Sequence, residues 1–431
     1  MCAEPPCWDV CVVGTGYVGL PLAIMLARAG RMVLGVDLQE GLVRAINEGR
    51  LPFPEPSMAD ELARPEVRAR LRASTSPAPA AAFVLAVPTP LDPRRRVADL
   101  SALEAAARSL VPHLRAGNLV VVESTVPPGT CREVVAPILE ESGLRVGRDL
   151  HLAHCPERIL PGDVMYEIVH NDRIIGGVTP QATRCARELY ASFVRGQLLE
   201  TDDLTAELCK LMENTYRDVN IALANELAAV AETLGVDPLR AIQLANRHPR
   251  VHILKPGIGT GGHCIPIDPW FIHQVDPDHA RLIETARRVN DEVPARIAAK
   301  IRRAVADLRA PRLALVGVTY KPDVADCRES PALRILDLLR EDGYDAVAYD
   351  PVAPGYPWPD DGLVGVARGA DCLVVLVEHS SVRRELEERE PDVLAALRCP
   401  RILRFYQQVR EEPAPWQVVP ARGALRAEDG R

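Results

Sequence analysis

Val10-Cys11-Val12-Val13 runs straight into Gly14-Thr15-Gly16-Tyr17-Val18-Gly19, and a helical stretch through Ala29 follows. Asp37, twenty-one residues after Gly16, closes a second apolar run that starts at Met32. A lone glycine pattern is weak, but strand, glycine loop, helix, strand and terminal acid in this order form the dinucleotide-binding fingerprint. Gly14, Gly16 and Gly19 allow the turn and the close approach of a pyrophosphate. Tyr17 and Val18 complete the loop at the helix amino end, where unpaired N–H groups favour an anion. Asp37 would accept hydrogen bonds from ribose hydroxyls and disfavour a 2′-phosphate, so the expected cofactor is NAD rather than NADP. The alternative is a glycine turn in some other α/β domain.

Working outward, Phe83-Val84-Leu85-Ala86-Val87 stops at Pro88-Thr89-Pro90, and Leu119-Val120-Val121-Val122 stops at Glu123-Ser124-Thr125. Ligands gather at the carboxyl ends of strands in an open parallel sheet, which puts Thr89 and Thr125 on the cofactor side. Ordinary turn chemistry is the other explanation for both. From Asp203 to Leu234 the spacing turns helical with no Pro or Gly inside. Lys210, Asn214 and Arg217 share a face of that helix, either solvated or catalytic.

Gly257-Ile258-Gly259-Thr260-Gly261-Gly262-His263-Cys264-Ile265-Pro266-Ile267-Asp268 packs four glycines, a thiol and a carboxylate into one loop. Glycines let backbone approach a ligand closely, and a thiol in a polar loop can act as the thiolate that attacks an electrophilic carbon. A buried structural cysteine is the competing reading. A second α/β unit begins near Arg312, with a strand into Gly317, a polar stretch from Thr319 to Pro331, a helix to about Leu339, and strands ending at Asp350 and Val377. It has no GxGxxG. The tail from Pro413 to Arg431 is expected to be ordered only in part.

A chain of 431 residues has room for two or three domains. Lys plus Arg number 51 against 59 Asp plus Glu, a net charge of −8, and the longest basic run is Arg94-Arg95-Arg96. That balance argues against nucleic-acid binding. The 11 cysteines are odd in number, irregularly spaced and without a CxxC pair, which fits a reducing compartment. With neither a leader pattern nor an apolar run of about 18 residues, the expectation is a cytoplasmic protein that does not engage a membrane.

Taken together, these stretches resemble the nucleotide-sugar 6-dehydrogenases, the group containing UDP-glucose dehydrogenase, from about residue 8 to about residue 410. The carriers are Gly14 to Ala23, Glu123 to Thr130, His154 to Asp163, Cys209 to Asn225, Ala245 to Ile253, Gly257 to Phe271 and Tyr320 to Ser330. Pro156 to Gly162, Asn246 to Val251 and His263 to Phe271 are similar to the family's N-acetylmannosamine branch.

The resemblance implies a fold, a reaction and a set of roles. The fold is α/β: two Rossmann-like doubly wound domains joined by a long-helix central domain. It implies an NAD-binding domain over 1–200, a central helical dimerisation and catalytic domain over 201–300 and a UDP-sugar-binding domain over 301–431, with the active site between them and a homodimer built on the long helix. The reaction is NAD-dependent oxidation of the C6 hydroxyl of a nucleotide sugar to the carboxylate, through a thiohemiacetal and a thioester on Cys264. UDP-N-acetyl-D-mannosamine is the expected substrate, with UDP-N-acetylglucosamine, UDP-glucose or a dTDP-sugar as alternatives and a silent NAD-binding protein as a reading of another class. Lys210 would place a positive charge near the developing oxyanion and Asn214 a neutral donor. Asp268 would hold a water or Lys210, and Glu157 would be the base for thioester hydrolysis, unless it is only a solvated loop acid. Arg158, Ile159, Lys210, Asn214, Arg217, His248, Arg250, Gly261 and Lys321 match positions that contact the nucleotide sugar, Arg250 reaching a neighbouring subunit's site. Arg328 matches a position near the cofactor. No metal is assigned. The chain departs from some relatives after Asp37, where Leu38-Gln39-Glu40-Gly41-Leu42 offers no arginine to stack on adenine.

Overall fold

A computed structural model describes residues 8–51, 55–159 and 163–406. The tail expectation for Pro413 to Arg431, and Leu160-Pro161-Gly162 of the branch-like stretch, lie outside these residues. The described residues fall into two compact units, one running up to Glu213 with Trp270–His279 added, the other Asn214–Pro269 together with the chain from Ala280 onward.

The first unit is built on strands β1 (Trp8–Val13), β2 (Val33–Val36), β3 (Leu71–Ser74), β4 (Ala80–Leu85), β7 (Leu119–Val122), β8 (His151–His154), β9 (Arg173–Gly177) and β10 (Leu198–Asp202), with a small hairpin of β5 (Leu91–Asp92) and β6 (Val97–Ala98) beside the sheet. The sheet order is β3-β2-β1-β4-β7-β8-β9-β10, and every neighbouring pair is parallel except β8 with β9. Strand side chains alternate in direction. Val10 and Val12 therefore enter one core with Leu20, Leu22 and Ile24, while Cys11 and Val13 enter another with Phe83, Leu85 and Leu110. A strand buried on both faces needs apolar residues at every position, which is why the runs read as continuous rather than alternating. The order reverses between β1 and β4, so the carboxyl ends of these two strands form the switch point where ligands of such sheets bind.

The helix Asp203–Thr233 is unbroken over 31 residues, about 46 Å at the usual rise. It stops because Gly235 takes φ +71° and the Val236 N–H turns back to the Ala231 carbonyl at 2.8 Å, a left-handed carboxyl cap.

In the second unit β11 (Arg312–Val316), β12 (Asp345–Tyr349), β13 (Cys372–Val375) and β14 (Ile402–Arg404) make an all-parallel sheet ordered β12-β11-β13-β14. Leu313 and Leu315 face one core and Ala314 and Val316 the other, so this sheet too is covered on both sides. Its first turn repeats that of the first sheet without the glycine fingerprint. The Val318 N–H donates to Asp350 at 2.7 Å, as the Thr15 N–H donates to Asp37 at 3.1 Å. Asp350 is also engaged by the Val352 and Ala353 N–H groups and by His379 Nε2 at 3.0 Å. Burial would raise its pKa, but these donors more than offset that and lower it to about 2. The acid that faces a ribose in a dinucleotide fold is here tied into its own loop.

Candidate active site

At the switch point of the first sheet the three fingerprint glycines divide their work. Gly14 holds φ +90°, and a Cβ there would lie 2.4 Å from the Ala86 carbonyl oxygen. A Cβ on Gly19 would lie 1.9 Å from the Gly14 oxygen, so this glycine is required by the contact of helix with loop. A Cβ on Gly16 would meet nothing within 4 Å. That open space, at the amino end of Gly19–Arg28 whose Val18 cap supplies no side-chain bond, is where a pyrophosphate would lie. Asp37 is held by the Thr15 and Gln39 N–H groups, each at 3.1 Å. Tyr17 donates from its hydroxyl to buried Glu55 at 2.8 Å, fixing the far side of the loop. Thr89 Oγ1 is buried without a partner among the described residues, and Thr125 is half-buried after β7. An unsatisfied hydroxyl and an open glycine on the carboxyl side of the sheet fit a dinucleotide.

Glu157 is 9% exposed, so it is not a solvated loop acid. Its Oε2 meets Arg173 Nη2 at 2.6 Å and its Oε1 accepts the Arg158 N–H at 2.6 Å. Arg173 Nη1 reaches Glu123 Oε1 at 3.0 Å. Arg158 lays its guanidinium on Glu213 at 2.8 Å and on the Asp172 carbonyl at 2.9 Å. Ile159 packs against the first core. Lys210 is half-buried, one helical turn before Asn214 on the long helix. Beside it is a buried group of Cys131, His154 and Glu207, whose carboxylate accepts the Gly129 and Cys131 N–H groups at 2.6 and 2.8 Å. Burial and, to a lesser degree, the Lys210 charge bring the His154 pKa down to about 3.

In the second unit Cys264 is exposed, which removes the buried structural reading. Its carbonyl accepts the Asp268 N–H at 2.9 Å, starting the helix Asp268–Val275, and the buried Asp268 carboxylate accepts from Asn214 Nδ2 at 2.6 Å. The loop is pinned from three sides. Asn225 accepts the Gly257 N–H at 2.8 Å, Arg287 donates to Thr260 Oγ1 at 2.9 Å, and the Arg328 carbonyl accepts the Gly262 N–H at 3.1 Å.

Two of the expected site residues also have structural engagements of their own. Gly261, expected to contact the nucleotide sugar, is also required as a glycine by packing, because a Cβ there would lie 2.6 Å from the Glu329 carbonyl oxygen and 2.9 Å from Tyr320 and Pro331. Packing against the Tyr320–Pro331 stretch demands it, and only its backbone remains for a substrate. Arg328, expected near the cofactor, closes its fork on Asp326 at 2.6–3.0 Å. Arg217, His248, Arg250 and Lys321 are exposed.

Sequence reasoning missed the buried charges behind these groups. Arg287 is 2% exposed, pairs with Asp218 at 2.5 Å and is backed by Asn290, whose Nδ2 donates to Asp218 at 2.8 Å. Arg173 and Glu123 escaped for the same reason: their charges sit at the ends of apolar strands and read as strand punctuation. The signal available was a lone arginine opening Arg173-Ile174-Ile175-Gly176-Gly177, which a buried strand tolerates only with a partner.

The first unit carries an NAD-type glycine cradle, the mark of a dehydrogenase, and the second an exposed thiol in a glycine-rich loop. Three domains of one family match in order: its NAD binding domain over residues 8–194, its central domain over 204–292 and its UDP binding domain over 314–397. The chain belongs to the UDP-glucose/GDP-mannose dehydrogenase family. It is 43% identical over 378 residues to the UDP-N-acetyl-D-mannosamine dehydrogenase of Methanocaldococcus jannaschii, covering 87% of this chain and 86% of that protein. It is 45% identical over 397 residues to a Ralstonia nicotianae protein named NDP-N-acetyl-D-galactosaminuronic acid dehydrogenase, covering 87% and 92%. The solved UDP-D-ManNAc dehydrogenase of Pyrococcus horikoshii superposes with a TM-score of 0.87 at 39% identity, covering 94% of this chain and 97% of the other.

Proposed function

We propose that this chain oxidises the C6 hydroxyl of UDP-N-acetyl-D-mannosamine to the carboxylate in two successive two-electron steps. The observation that carries the reading is the exposed Cys264 in a loop locked to Asp268 and, through it, to Asn214, in a chain of this family. NAD, when bound at the glycine loop, supplies the hydride acceptor for both oxidations. Lys210 and Asn214 stabilise the oxygen at C6 as charge develops there. Cys264 Sγ adds to the aldehyde carbon and keeps the aldehyde from escaping, since an aldehyde yields a second hydride only after a nucleophile has added. The thioester that results is opened by water, with Glu157 taking the proton and Cys264 leaving as thiolate. Asp268 fixes Asn214 and the turn that carries Cys264.

Substrate contact falls to Arg158, Ile159, Arg217, His248, Arg250, Lys321 and the backbone of Gly261. Arginine suits a diphosphate because its planar fork engages two oxygens. Thr89, Thr125, Asp37 and Arg328 complete the cofactor set. A second reading, an N-acetylgalactosamine-type sugar, is favoured by the 45% identity to the Ralstonia protein. Assaying both sugars, with UDP-glucose and UDP-N-acetylglucosamine, for NADH formation decides between them: the first reading requires the highest kcat/KM on the mannosamine sugar.

We also propose a homodimer. Tyr216, Leu223, Leu227, Val230 and Leu234 recur at near-heptad spacing on the long helix and its cap and are 39–72% exposed, an apolar stripe suited to a twofold copy of itself. No described helix is long and apolar enough to cross a membrane; the cytoplasmic location is part of the proposal.

A further inference from the structure

Arg173 opens β9, where the first sheet reverses direction: β9 runs antiparallel to β8, and β10 runs parallel to β9. His154 pairs with Gly176, and continuing that antiparallel register brings position 157 opposite position 173. A parallel β9 would carry the arginine to the other end of the sheet. The reversal thus delivers one guanidinium, with its side chain 3% exposed, between two carboxylates at the carboxyl ends of β7 and β8: Glu123 at 3.0 Å and Glu157 at 2.6 Å. Tyr190 and Phe193 lie under its face at 5.0 and 5.9 Å, and Cys155 Sγ is 3.9 Å from Nη1.

We propose that Arg173 and Glu123 are positioning residues for Glu157, the base for thioester hydrolysis: Arg173 holds its carboxylate in place, and Glu123 competes for the same guanidinium. This rests on the reading of Glu157 given under Proposed function. The two acids are not equally served. Glu157 has a partner at each oxygen, while Glu123 Oε2 is buried with none among the described residues. With both acids ionised the buried group carries one surplus negative charge, and the less well partnered acid gives up its charge first. Burial accordingly pushes Glu123 up to about 8, against the pull of Arg173. The other titratable groups facing the three are Cys155 and Tyr190, both pushed up by burial and neutral in this range, and Arg158, whose guanidinium is engaged by Glu213.

The step involves no redox change. Water adds to the thioester carbon, a C–O bond forms, and the water proton passes to Glu157; collapse breaks the C–S bond and returns Cys264 as thiolate. When Glu123 is protonated, Arg173 holds Glu157 Oε2 alone; when Glu123 ionises it competes for the same guanidinium and frees Glu157 Oε2 to accept the water proton.

Glu123→Gln keeps the shape and fixes the neutral state. Hydrolysis is read as decay of the acyl adduct on Cys264 by intact mass, at several pH values, with UDP-N-acetyl-D-mannosamine and NAD. The unmodified protein should hydrolyse faster as pH rises through about 8. Glu123→Gln should lack that rise, losing roughly 3- to 10-fold at pH 9 and little at pH 6.5. Arg173→Met should form adduct and then stall, and Arg173→Lys should recover part of the rate. Superimposable profiles for Glu123→Gln and the unmodified protein, or an Arg173→Met protein whose adduct formation and decay fall together, overturn the proposal. An unmodified protein that forms no adduct and no NADH with any nucleotide sugar removes the parent reading, a result distinct from either.

Discussion

Cys264, Asp37 and Glu157 were all readable as candidates, and the structure sorts them by environment. The thiol is exposed, so Cys264→Ser should retain NAD binding by fluorescence titration yet lose roughly 10³-fold or more in turnover, since a hydroxyl is a far weaker nucleophile. Asp37, tied by two backbone donors, should reject a 2′-phosphate; Asp37→Ser is expected to narrow the NAD-over-NADP ratio of kcat/KM by about tenfold or more. Glu157 could not be told from a solvated acid in the sequence, because its burial depends on Arg173 arriving from a strand whose direction no local pattern announces. Glu123 has a stability consequence as well. Its folded-state pKa is raised, to about 8, above the unfolded value, so what it contributes is present at low pH and lost as pH rises through about 8. Glu123→Gln should therefore melt above the unmodified protein at pH 9, with the difference shrinking toward pH 5.

Among the elements, β1, β2, β4 and β7 of the first sheet, β11 to β13 of the second and the long helix were legible because burial on two faces and helical spacing write themselves into composition, and the helix end was marked by Gly235. The Cys264 loop was legible as a site but not as a structure. Its glycines at 259, 261 and 262 face Pro331, Glu329 and Tyr320, contacts between stretches some 70 residues apart that no local rule anticipates. Arg287 holds the loop through Thr260 and holds the long helix through Asp218. Removing one partner of a buried pair leaves an uncompensated charge, so Arg287→Met should cost about 3–5 kcal/mol in denaturant unfolding. Glycerol or salt that restores stability should not restore full activity, because the loop has lost an anchor.

At the scale of the whole molecule, the doubly wound architecture was legible from the order of strands, glycine loop and acid, and the second sheet from its apolar runs alone, although its acid, Asp350, turns out to be locked into its own turn. The two compact units divide inside the long helix, between Glu213 and Asn214, a boundary invisible to composition because the helix continues through it. The candidate site residues are divided in the same way, the cofactor cradle and Glu157 in one unit and Cys264, Asn214 and Asp268 in the other. If the apolar stripe of that helix is covered by a second copy, Leu227→Arg should reduce the mass measured by light scattering from dimer to monomer. The central claim is a four-electron oxidation through Cys264, and its most direct test counts NADH against sugar in a panel of nucleotide sugars run to completion. The account predicts two NADH and one uronate for each UDP-N-acetyl-D-mannosamine consumed, at the highest kcat/KM of the panel. One NADH per sugar with a free aldehyde product, or no NADH from any nucleotide sugar, would contradict it.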